Sequence, residues 1–533
     1  MNKRKIHTEA FWREELAITD QDVQDIGALF MESEHALTGP ELARSLIRTY
    51  CEREGNLVRR RLSMGTVYRP NGTYAVGDKV VFPHLDFAVG TVVDQREGHN
   101  PEYDRFKVIA VQLEDGDGAS VRQFAAELSA PHNLSFSTEE PWLDSFEPSP
   151  DALYDRYGDL IAAKLEDRLR SDLGFVYSRG RWLLKDMLAD VHVGLLNIAE
   201  AMLDLHGKPL PPTELLRELD LPDEIPESVQ VFSLNYAMSR DDRFQDVGDA
   251  NQVVWGLRRR IPEEVVHPPS RLHYDPISYN RTALDVVHLQ LEREIDDEAS
   301  ALIAPPKAAS ATLLSLVLKY PHWRCGTLPL TAQTRAFFPA GTPSQRTQIT
   351  FVDRANRKQF PGWVAHRERF VYGLAEWYEA NQVPVGAHIR LERTDDLHRV
   401  VIELIPRRMQ REWVRVVYRD ADGELGLQMQ KRPISCEYDE LFLLGEADRA
   451  TVDELWSQEQ TRERSLGELV TATFLELGKL SPSVRVHAKT LYNAVNVVRR
   501  CPPGPVFAKL FELPEFVTTG DGYWVYQGHS DVR

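Results

Sequence analysis

The stretch Pro514-Glu-Phe516-Val-Thr-Thr-Gly520-Asp-Gly-Tyr-Trp524-Val-Tyr526 decides the fold of the C-terminal region. Two short runs of β-branched and aromatic residues flank a Gly-Asp-Gly turn, a pattern that predicts a β-hairpin. Phe516 and Trp524 fall on the same face of this hairpin, so we expect them to seal a helical core beneath it.

The residues before this hairpin have helical patterns, and the whole order occurs twice. An apolar run at 466–477 leads to the turn Gly478-Lys479 and then to a second helical run at 488–500. The same order recurs at 197–257, with Gly207-Lys in the turn and a hairpin that carries Phe244, Gly248 and Trp255. Helix, turn, short helix, longer helix and hairpin is the order of a winged helix, and its repetition predicts two such modules.

Residues 183–262 and 461–530 resemble the HARE-HTH family of winged helices. That family includes the domain of the bacterial RNA polymerase delta subunit and modules of chromatin proteins and restriction systems. The matching residues are mostly core-forming, so the resemblance implies a fold more than an activity. It allows both DNA contact and protein contact.

The N-terminal part contains helical and strand patterns in turn. Thr38-Gly-Pro-Glu41 is a capping box that predicts a helix start, and the segment around it resembles a weaker copy of the repeated module. Short β-branched runs between residues 74 and 113 follow, separated by Gly, Asp and Pro turns. These runs resemble a small SH3-like barrel.

The central region carries the runs Phe360-Pro-Gly-Trp363-Val and Val383-Pro-Val-Gly386-Ala-His. Their order resembles the B3-like pseudobarrel of plant B3 domains and of restriction-enzyme effector domains. In that family an Asp follows the second Gly, whereas this chain has Ala387. The resemblance implies that loops at one edge of the barrel grip the DNA major groove with Arg and aromatic residues.

The sequence therefore predicts an α+β multidomain protein with winged-helix modules, a small SH3-like β-barrel and a central B3-like β-pseudobarrel. The predicted domains are a helical, weakly winged-helix-like region at 1–70, the SH3-like barrel at 71–131, a helical region with an acidic winged helix at 150–265, a linker and helix at 266–310, the basic B3-like domain at 311–415, a β extension and linker at 416–460, and the C-terminal winged helix at 461–533.

The charge is unevenly distributed along the chain. The formal net charge is −18, and an acidic body repels phosphates, so non-specific coating of nucleic acid is disfavoured. Residues 321–411 nevertheless contain 14 Lys or Arg against 8 Asp or Glu. Residues 197–260 contain 7 basic and 12 acidic residues, so this module suits protein contact better than DNA contact.

Arg, Lys and Asn bond to base edges and phosphates, so the basic stretches supply the candidate DNA-binding residues. The alternative is that these side chains form solvated faces. In the C-terminal module, where the helix at 488–500 is predicted to read the major groove, the candidates are Arg485, Lys489, Asn493, Asn496, Arg499 and Arg500. In the central domain they are Arg335, Arg346, Arg354, Arg357, Lys358, Arg367 and Arg369. The short run of Arg407, Arg408 and Arg411 would add phosphate contacts or is a solvated strand end.

The sequence has none of the Walker A, Gly-x-Ser-x-Gly, His-Glu-x-x-His or kinase motifs, so no enzyme activity, cofactor or metal is expected. The cysteines at 51, 325, 436 and 501 lack the spacing of a zinc site or disulfide framework. No apolar stretch is long enough to span a membrane, and no secretory signal opens the chain, so a cytoplasmic location is expected.

These observations favour a non-catalytic, transcription-associated regulator that binds double-stranded DNA. One alternative is the DNA-recognition component of a restriction or defence system whose nuclease is another chain. A second alternative is a scaffold that binds RNA polymerase or another protein through residues 197–260. Steep salt dependence distinguishes phosphate contact from apolar protein docking.

Overall fold

In the computed structural model of the protein, the predicted capping box at Thr38 is confirmed. The Thr38 side chain accepts a hydrogen bond from the Glu41 backbone, and the Glu41 carboxylate accepts one from the Thr38 backbone. Reciprocal boxes of the same kind start the helices that follow Thr19 and Ser465. Each box satisfies backbone donors that a helix start otherwise leaves open, so local sequence fixes these three helix starts.

The structure describes residues 6, 8–100, 103, 105–114, 121–130, 132, 149–302, 311–342 and 345–528. Most of residues 132–150 and 304–311, whose Ser, Pro and Ala content is typical of linkers, lie outside these described residues. The chain forms two units, Met1–Val193 with Asp220–Ala237 and Gly194–Leu219 with Met238–Arg533. The backbone therefore crosses from one unit to the other three times.

The predicted α+β multidomain class is confirmed, with several sheets and many helices. None of the helices in the described ranges is long and apolar enough to cross a membrane. The α-helices are α1 Asp20–Ser33, α2 Gly39–Leu62, α3 Pro150–Arg170, α4 Val193–His206, α5 Pro212–Leu216, α6 Glu227–Ser239, α7 Glu263–Val266, α8 Val286–Ile295, α9 Tyr320–Cys325, α10 Ala375–Ala380, α11 Arg449–Thr461, α12 Leu466–Gly478, α13 Ala488–Val495 and α14 Pro503–Glu512.

The first unit contains a three-stranded sheet of order β1-β8-β7 and a five-stranded sheet of order β2-β3-β4-β5-β6. Its strands are β1 Leu37–Thr38, β2 Thr66–Val67, β3 Lys79–Phe82, β4 Ala88–Glu97, β5 Lys107–Leu113, β6 Val121–Ala126, β7 Phe175–Ser178 and β8 Arg181–Leu184.

The hairpin that completes the N-terminal sheet comes from far along the chain. Leu37 in β1 pairs with Trp182 in β8, and the five-stranded sheet lies between them in the sequence. Trp12, Phe30, Leu165 and Trp182 are buried in one core with residues of α1, α2 and α3. The N-terminal sheet is thus completed by β7 and β8, which the sequence pattern did not indicate.

The second unit contains the remaining strands. They are β9 Phe244–Asp246, β10 Trp255–Leu257, β11 Leu313–Val317, β12 Thr327–Pro329, β13 Arg346–Asp353, β14 Gln359–Ala365, β15 Phe370–Tyr372, β16 His388–Arg393, β17 Arg399–Leu404, β18 Pro406–Arg419, β19 Leu425–Cys436, β20 Leu444–Glu446, β21 Val486–His487, β22 Phe516–Gly520 and β23 Tyr523–Tyr526.

A seven-stranded sheet of order β11-β16-β17-β13-β14-β15-β12 forms the centre of the second unit. Leu316 from one edge strand and Leu328 from the other belong to the same core, together with Phe351 and Ile402 from the middle strands. The sheet therefore curls around its buried side chains as a half-barrel. Curling brings the loops at each end of the strands close together.

The β9–β10 hairpin packs on this sheet through the turn at Gly248. The Gly248 carbonyl accepts hydrogen bonds from Gln345 and Thr347, both at 2.8 Å, and the Gln348 backbone donates to the Val247 carbonyl. A Cβ at Gly248 would lie 2.0 Å from the Gln252 carbonyl oxygen, so only glycine fits here. The Gly-Asp turn that the sequence predicted as a hairpin turn thus also fastens this module to the central sheet.

The C-terminal module has a helix, a short strand, two helices and a hairpin, and its sheet has the order β21-β23-β22. Phe516 and Trp524 are buried in one core, as the hairpin pattern predicted. That core also includes Leu291 from α8 and Phe442 from the segment before β20. The module is therefore enclosed by preceding parts of the same unit.

Candidate nucleic-acid cleft

The predicted reading helix is not on the surface. It was expected to extend over 488–500, but α13 ends at Val495, and every residue of it except Lys489 is buried. The side chain of Asn493, 1% exposed, donates to the Phe442 carbonyl at 2.8 Å and accepts from the Tyr320 backbone at 3.2 Å. The prediction that Asn493 reads DNA is therefore corrected, because both of its polar atoms are used inside the protein.

Two further candidates on this segment have internal roles. Asn496 is buried and donates to the Tyr492 and Cys501 carbonyls. The Lys489 ammonium lies 2.7 Å from Glu294, so a carboxylate already neutralises it. The prediction that Asn496 reads DNA is corrected for the same reason as Asn493, and the prediction for Lys489 is corrected because only 13% of its side chain is exposed. Arg485 stays exposed, with its guanidinium over the Tyr523 ring.

The central candidates separate to two ends of the seven-stranded sheet. Arg354, Arg357 and Lys358 lie in the β13–β14 turn, where Arg354 pairs with Glu392 and Glu403. Arg357 and Lys358 are exposed there.

The other four central candidates lie toward the opposite end, because Arg346 at the start of β13 pairs with Ala365 at the end of β14. Arg346 donates to the Val265 and Val266 carbonyls and is held internally. Arg335 is exposed, and its charge together with burial lowers the pKa of His366, with burial the larger effect. Arg367 and Arg369 are on the β14–β15 turn.

An open cleft of 1120 Å³ in the second unit brings both predicted basic stretches together. Arg367 and Arg369 come from the central sheet, and Arg499 and Arg500 follow α13. Two further arginines from the α11–α12 connection, Arg462 and Arg464, complete the set. Six arginines thus line the cleft together with four carboxylates, those of Asp275, Glu298, Glu368 and Glu459, and two further carboxylates, Asp297 and Glu424, pair with these arginines from beside the cleft.

The floor of the cleft is a buried ionic cluster. The Arg500 Nη2 lies 2.7 Å from Asp297 and 2.6 Å from Glu298, and Tyr492 donates to Asp297 at 2.5 Å. His322 Nε2 lies 3.1 Å from Glu298. Burial raises the pKa of the Glu298 carboxyl, but the charges of Arg500 and His322 outweigh burial and hold that pKa well below its usual range. Arg500 therefore holds the cleft together rather than offering a free charge to a ligand.

The walls carry more accessible guanidinium groups. Arg499 pairs with Glu459 at 2.6 Å, and Arg462 pairs with Glu424 at 2.6 Å. Arg464 bridges these two carboxylates, at 3.5 Å from Glu459 and 3.3 Å from Glu424. These carboxylates fix the directions of the guanidinium groups, and Glu424 engages both terminal nitrogens of Arg462.

The β14–β15 turn supplies the least neutralised charge of the cleft. Arg369 has a positive φ of 60° and donates to the Glu298 carbonyl at 2.8 Å. Arg367 is exposed, and no carboxylate within the described residues lies at ion-pair distance from it. The arrangement can attract and orient an anionic polymer, because arginines from three separate segments line one cleft.

The sequence pattern did not indicate Arg462 and Arg464 as candidate DNA-binding residues. They lie in the segment Gln460-Thr-Arg-Glu-Arg-Ser465, between two acidic helices. The net charge of a long window around this segment therefore does not reveal the two arginines. The alternation of Arg with Glu just before the Ser465 capping box was the available signal. In the part of the chain that the structure describes, no group of three or more His, Cys, Asp or Glu side chains is placed to hold a metal ion.

Comparison with protein-family models, curated proteins and solved structures found no match for this chain.

Proposed function

We propose that the protein is a non-catalytic, transcription-associated regulator that binds double-stranded DNA in the arginine-lined cleft of its second unit. The observation that carries the proposal is the convergence of six arginines from three separate segments on one cleft, in a chain with a net charge of −18. Such local concentration of basic charge is the electrostatic footprint of phosphate binding.

The geometry of the cleft supports a polymeric ligand over a small one. Its volume of 1120 Å³ is larger than the roughly 300–1,000 Å³ that is usual for small-molecule pockets. Guanidinium groups suit phosphates because their donor fork matches two phosphate oxygens. The acidic remainder of the chain would disfavour binding of duplex DNA elsewhere on the surface.

The roles of the arginines differ within this proposal. Arg367 on the turn is the primary phosphate contact, and Arg462, Arg464 and Arg499 add further contacts from the same cleft. Arg500 positions the floor through Asp297 and Glu298. Arg369 anchors the turn to the Glu298 carbonyl.

We also propose that the three helix-and-hairpin modules are winged-helix variants, that the five-stranded sheet is SH3-like and that the seven-stranded sheet is B3-like. The order of helices and strands supports the first assignment, and the two sheet topologies support the others. Because α13 is enclosed, the C-terminal module serves in this proposal as a wall of the cleft and not as a reader of the major groove.

The test is duplex binding by the full-length protein, followed by fluorescence anisotropy across a salt series. Arg367→Gln and Arg462→Gln each remove one phosphate contact, so each should weaken binding and reduce the slope of log K against log salt by about 0.9. Arg357→Gln is the control for Arg367→Gln, because Arg357 is also exposed but lies at the other end of the sheet.

Unchanged binding by Arg367→Gln and Arg462→Gln, or an equal loss with Arg357→Gln, would remove the cleft as the DNA site. Salt-insensitive binding of another protein through residues 197–260 would favour the scaffold alternative instead. In that module Arg243, Arg259 and Arg260 already pair with Glu200 or Asp204 of α4. Duplex cleavage only in the presence of a second chain would favour the restriction-component alternative.

A further inference from the structure

The β18–β19 hairpin of the second unit has a second exposed surface that the cleft does not use. β18 begins with the exposed stretch Pro406–Arg411, and its register places Trp413 opposite Lys431 and Arg411 opposite Pro433. Residues two apart on a strand share a face, so Arg411, Trp413 and Lys431 point the same way. We call Met409, Arg411, Trp413 and Lys431 the Trp413 face.

Two large apolar side chains of the Trp413 face are open to solvent. Trp413 is 57% exposed and Met409 is 65% exposed. Tryptophan is highly buried on average, so an exposed indole on a regular strand indicates a use outside the folded core. The Lys431 ammonium lies 5.1 Å from the Trp413 ring centroid, within the distance of a cation–π contact.

The charge of the Trp413 face is positive. Arg411 and Lys431 form no ion pair with another residue in the described ranges. Arg407 nearby is 4.0 Å from Glu412 and stacks on Tyr438, so it is partly neutralised. The Trp413 face thus combines unpaired cations with an exposed aromatic ring, within an acidic protein.

We propose that the Trp413 face binds single-stranded nucleic acid, with a base stacked on the Trp413 indole and phosphates on Arg411 and Lys431. Sheets that bind single strands combine aromatic stacking platforms with basic residues that follow the backbone. A duplex cannot use the indole in this way, because its bases are stacked on one another. An apolar protein partner would have to desolvate two cations without neutralising them.

This proposal is independent of duplex binding in the cleft, because the two surfaces share no residue. The test uses the full-length protein and a fluorescein-labelled oligothymidylate of about 16 nucleotides, the upper end of the site size of one binding fold. Trp413→Ala should weaken its binding about tenfold or more, as expected for the loss of one stacked base. Trp413→Phe keeps an aromatic face and should recover most of that loss.

Arg411→Gln and Lys431→Gln should each lower the salt slope for the oligothymidylate by about 0.7, the value for a single-strand phosphate. Duplex binding should be unchanged in all these variants, since it depends on the cleft. Circular dichroism and urea unfolding of Trp413→Ala should match the parent, because the side chain is outside the core.

The proposal is overturned if the parent does not bind the oligothymidylate at low salt, or if Trp413→Ala binds it as tightly as the parent. Equal losses in Trp413→Ala and Trp413→Phe would also overturn it, because stacking would then not be the cause. Equal losses of single-strand and duplex binding would overturn it as well, because they would indicate that one surface binds phosphates of both ligands.

Discussion

Arg500 and Glu298 form an ion pair inside the second unit, with Arg500 Nη2 2.6 Å from Glu298 Oε1 and both side chains buried. They lie 202 residues apart in the sequence. The pair therefore joins the segment after α13 to the loop after α8, on the floor of the arginine-lined cleft.

The first prediction concerns the stability of this pair. Arg500→Gln leaves two buried carboxylates without their main counter-ion, so the free energy of unfolding should fall by about 3–5 kcal/mol. Urea unfolding measures it. Arg258→Gln is the control, because its pair with Asp242 is exposed on both sides and should contribute far less. Equal effects of the two variants would contradict this account.

The second prediction is a loss of stability in mild acid. Burial, aided by the charge of Lys489, lowers the pKa of His487 from 6.5 to about 4. The unfolded chain thus binds more protons than the folded one between these two values. Stability is complete above the unfolded pKa and declines as pH falls toward the folded one, by about 2 kcal/mol between pH 7 and pH 5.

His487→Asn isolates this effect. The His487 side chain accepts from the Lys489 backbone at 3.1 Å and caps α13, and asparagine is also a good N-cap residue. Urea unfolding at several pH values should therefore show a flatter profile for His487→Asn between pH 7 and pH 5. An unchanged profile would assign the acid sensitivity to other groups.

The third prediction concerns the turn that fastens β9 and β10 to the central sheet. Gly248→Ala inserts a Cβ 2.0 Å from the Gln252 carbonyl oxygen, so the free energy of unfolding should drop by about 1–3 kcal/mol. Gly467→Ala provides the comparison, since the nearest atom to its added Cβ is 3.6 Å away and helix α12 favours alanine. If both variants keep parental stability, the Gly248 turn is not a fixed attachment.

The fourth prediction separates a buried residue from a surface residue that sequence reasoning had grouped together. Asn493→Ala leaves the Phe442 carbonyl and the Tyr320 N–H without partners, so unfolding should become easier by about 1–3 kcal/mol, with duplex affinity unchanged while the protein is folded. Arg367→Gln should have the reverse pattern, with lower duplex affinity and unchanged stability. Anisotropy and urea unfolding of both variants decide the matter.

Much of the local structure was predictable because its signals are local. The capping box at Thr38 and the hairpins around Gly248 and Gly520 depend on a few adjacent residues, and all three appear in the structure. The pairing of Leu37 with Trp182 was not predictable, since a whole sheet separates them in the sequence.

The candidate site was predictable only in part, for a similar reason. The polar spacing of Asn493 and Asn496 fits a reading helix, but segments around Tyr320 and Phe442 cover it, and no local pattern reveals that cover. Charge counting indicated Arg367 and Arg499 but could not show that they meet in one cleft, or that Arg462 and Arg464 join them.

The three passages of the backbone between the two units have a consequence for how this gene can change. The segment Asp220–Ala237 belongs to the first unit, although its neighbours on both sides belong to the second. Neither unit is thus encoded by one uninterrupted stretch of DNA, and a single recombination breakpoint cannot transfer either of them whole. The two units are expected to be inherited together, and a truncated gene that ends near codon 193 would lack part of the unit it was meant to supply.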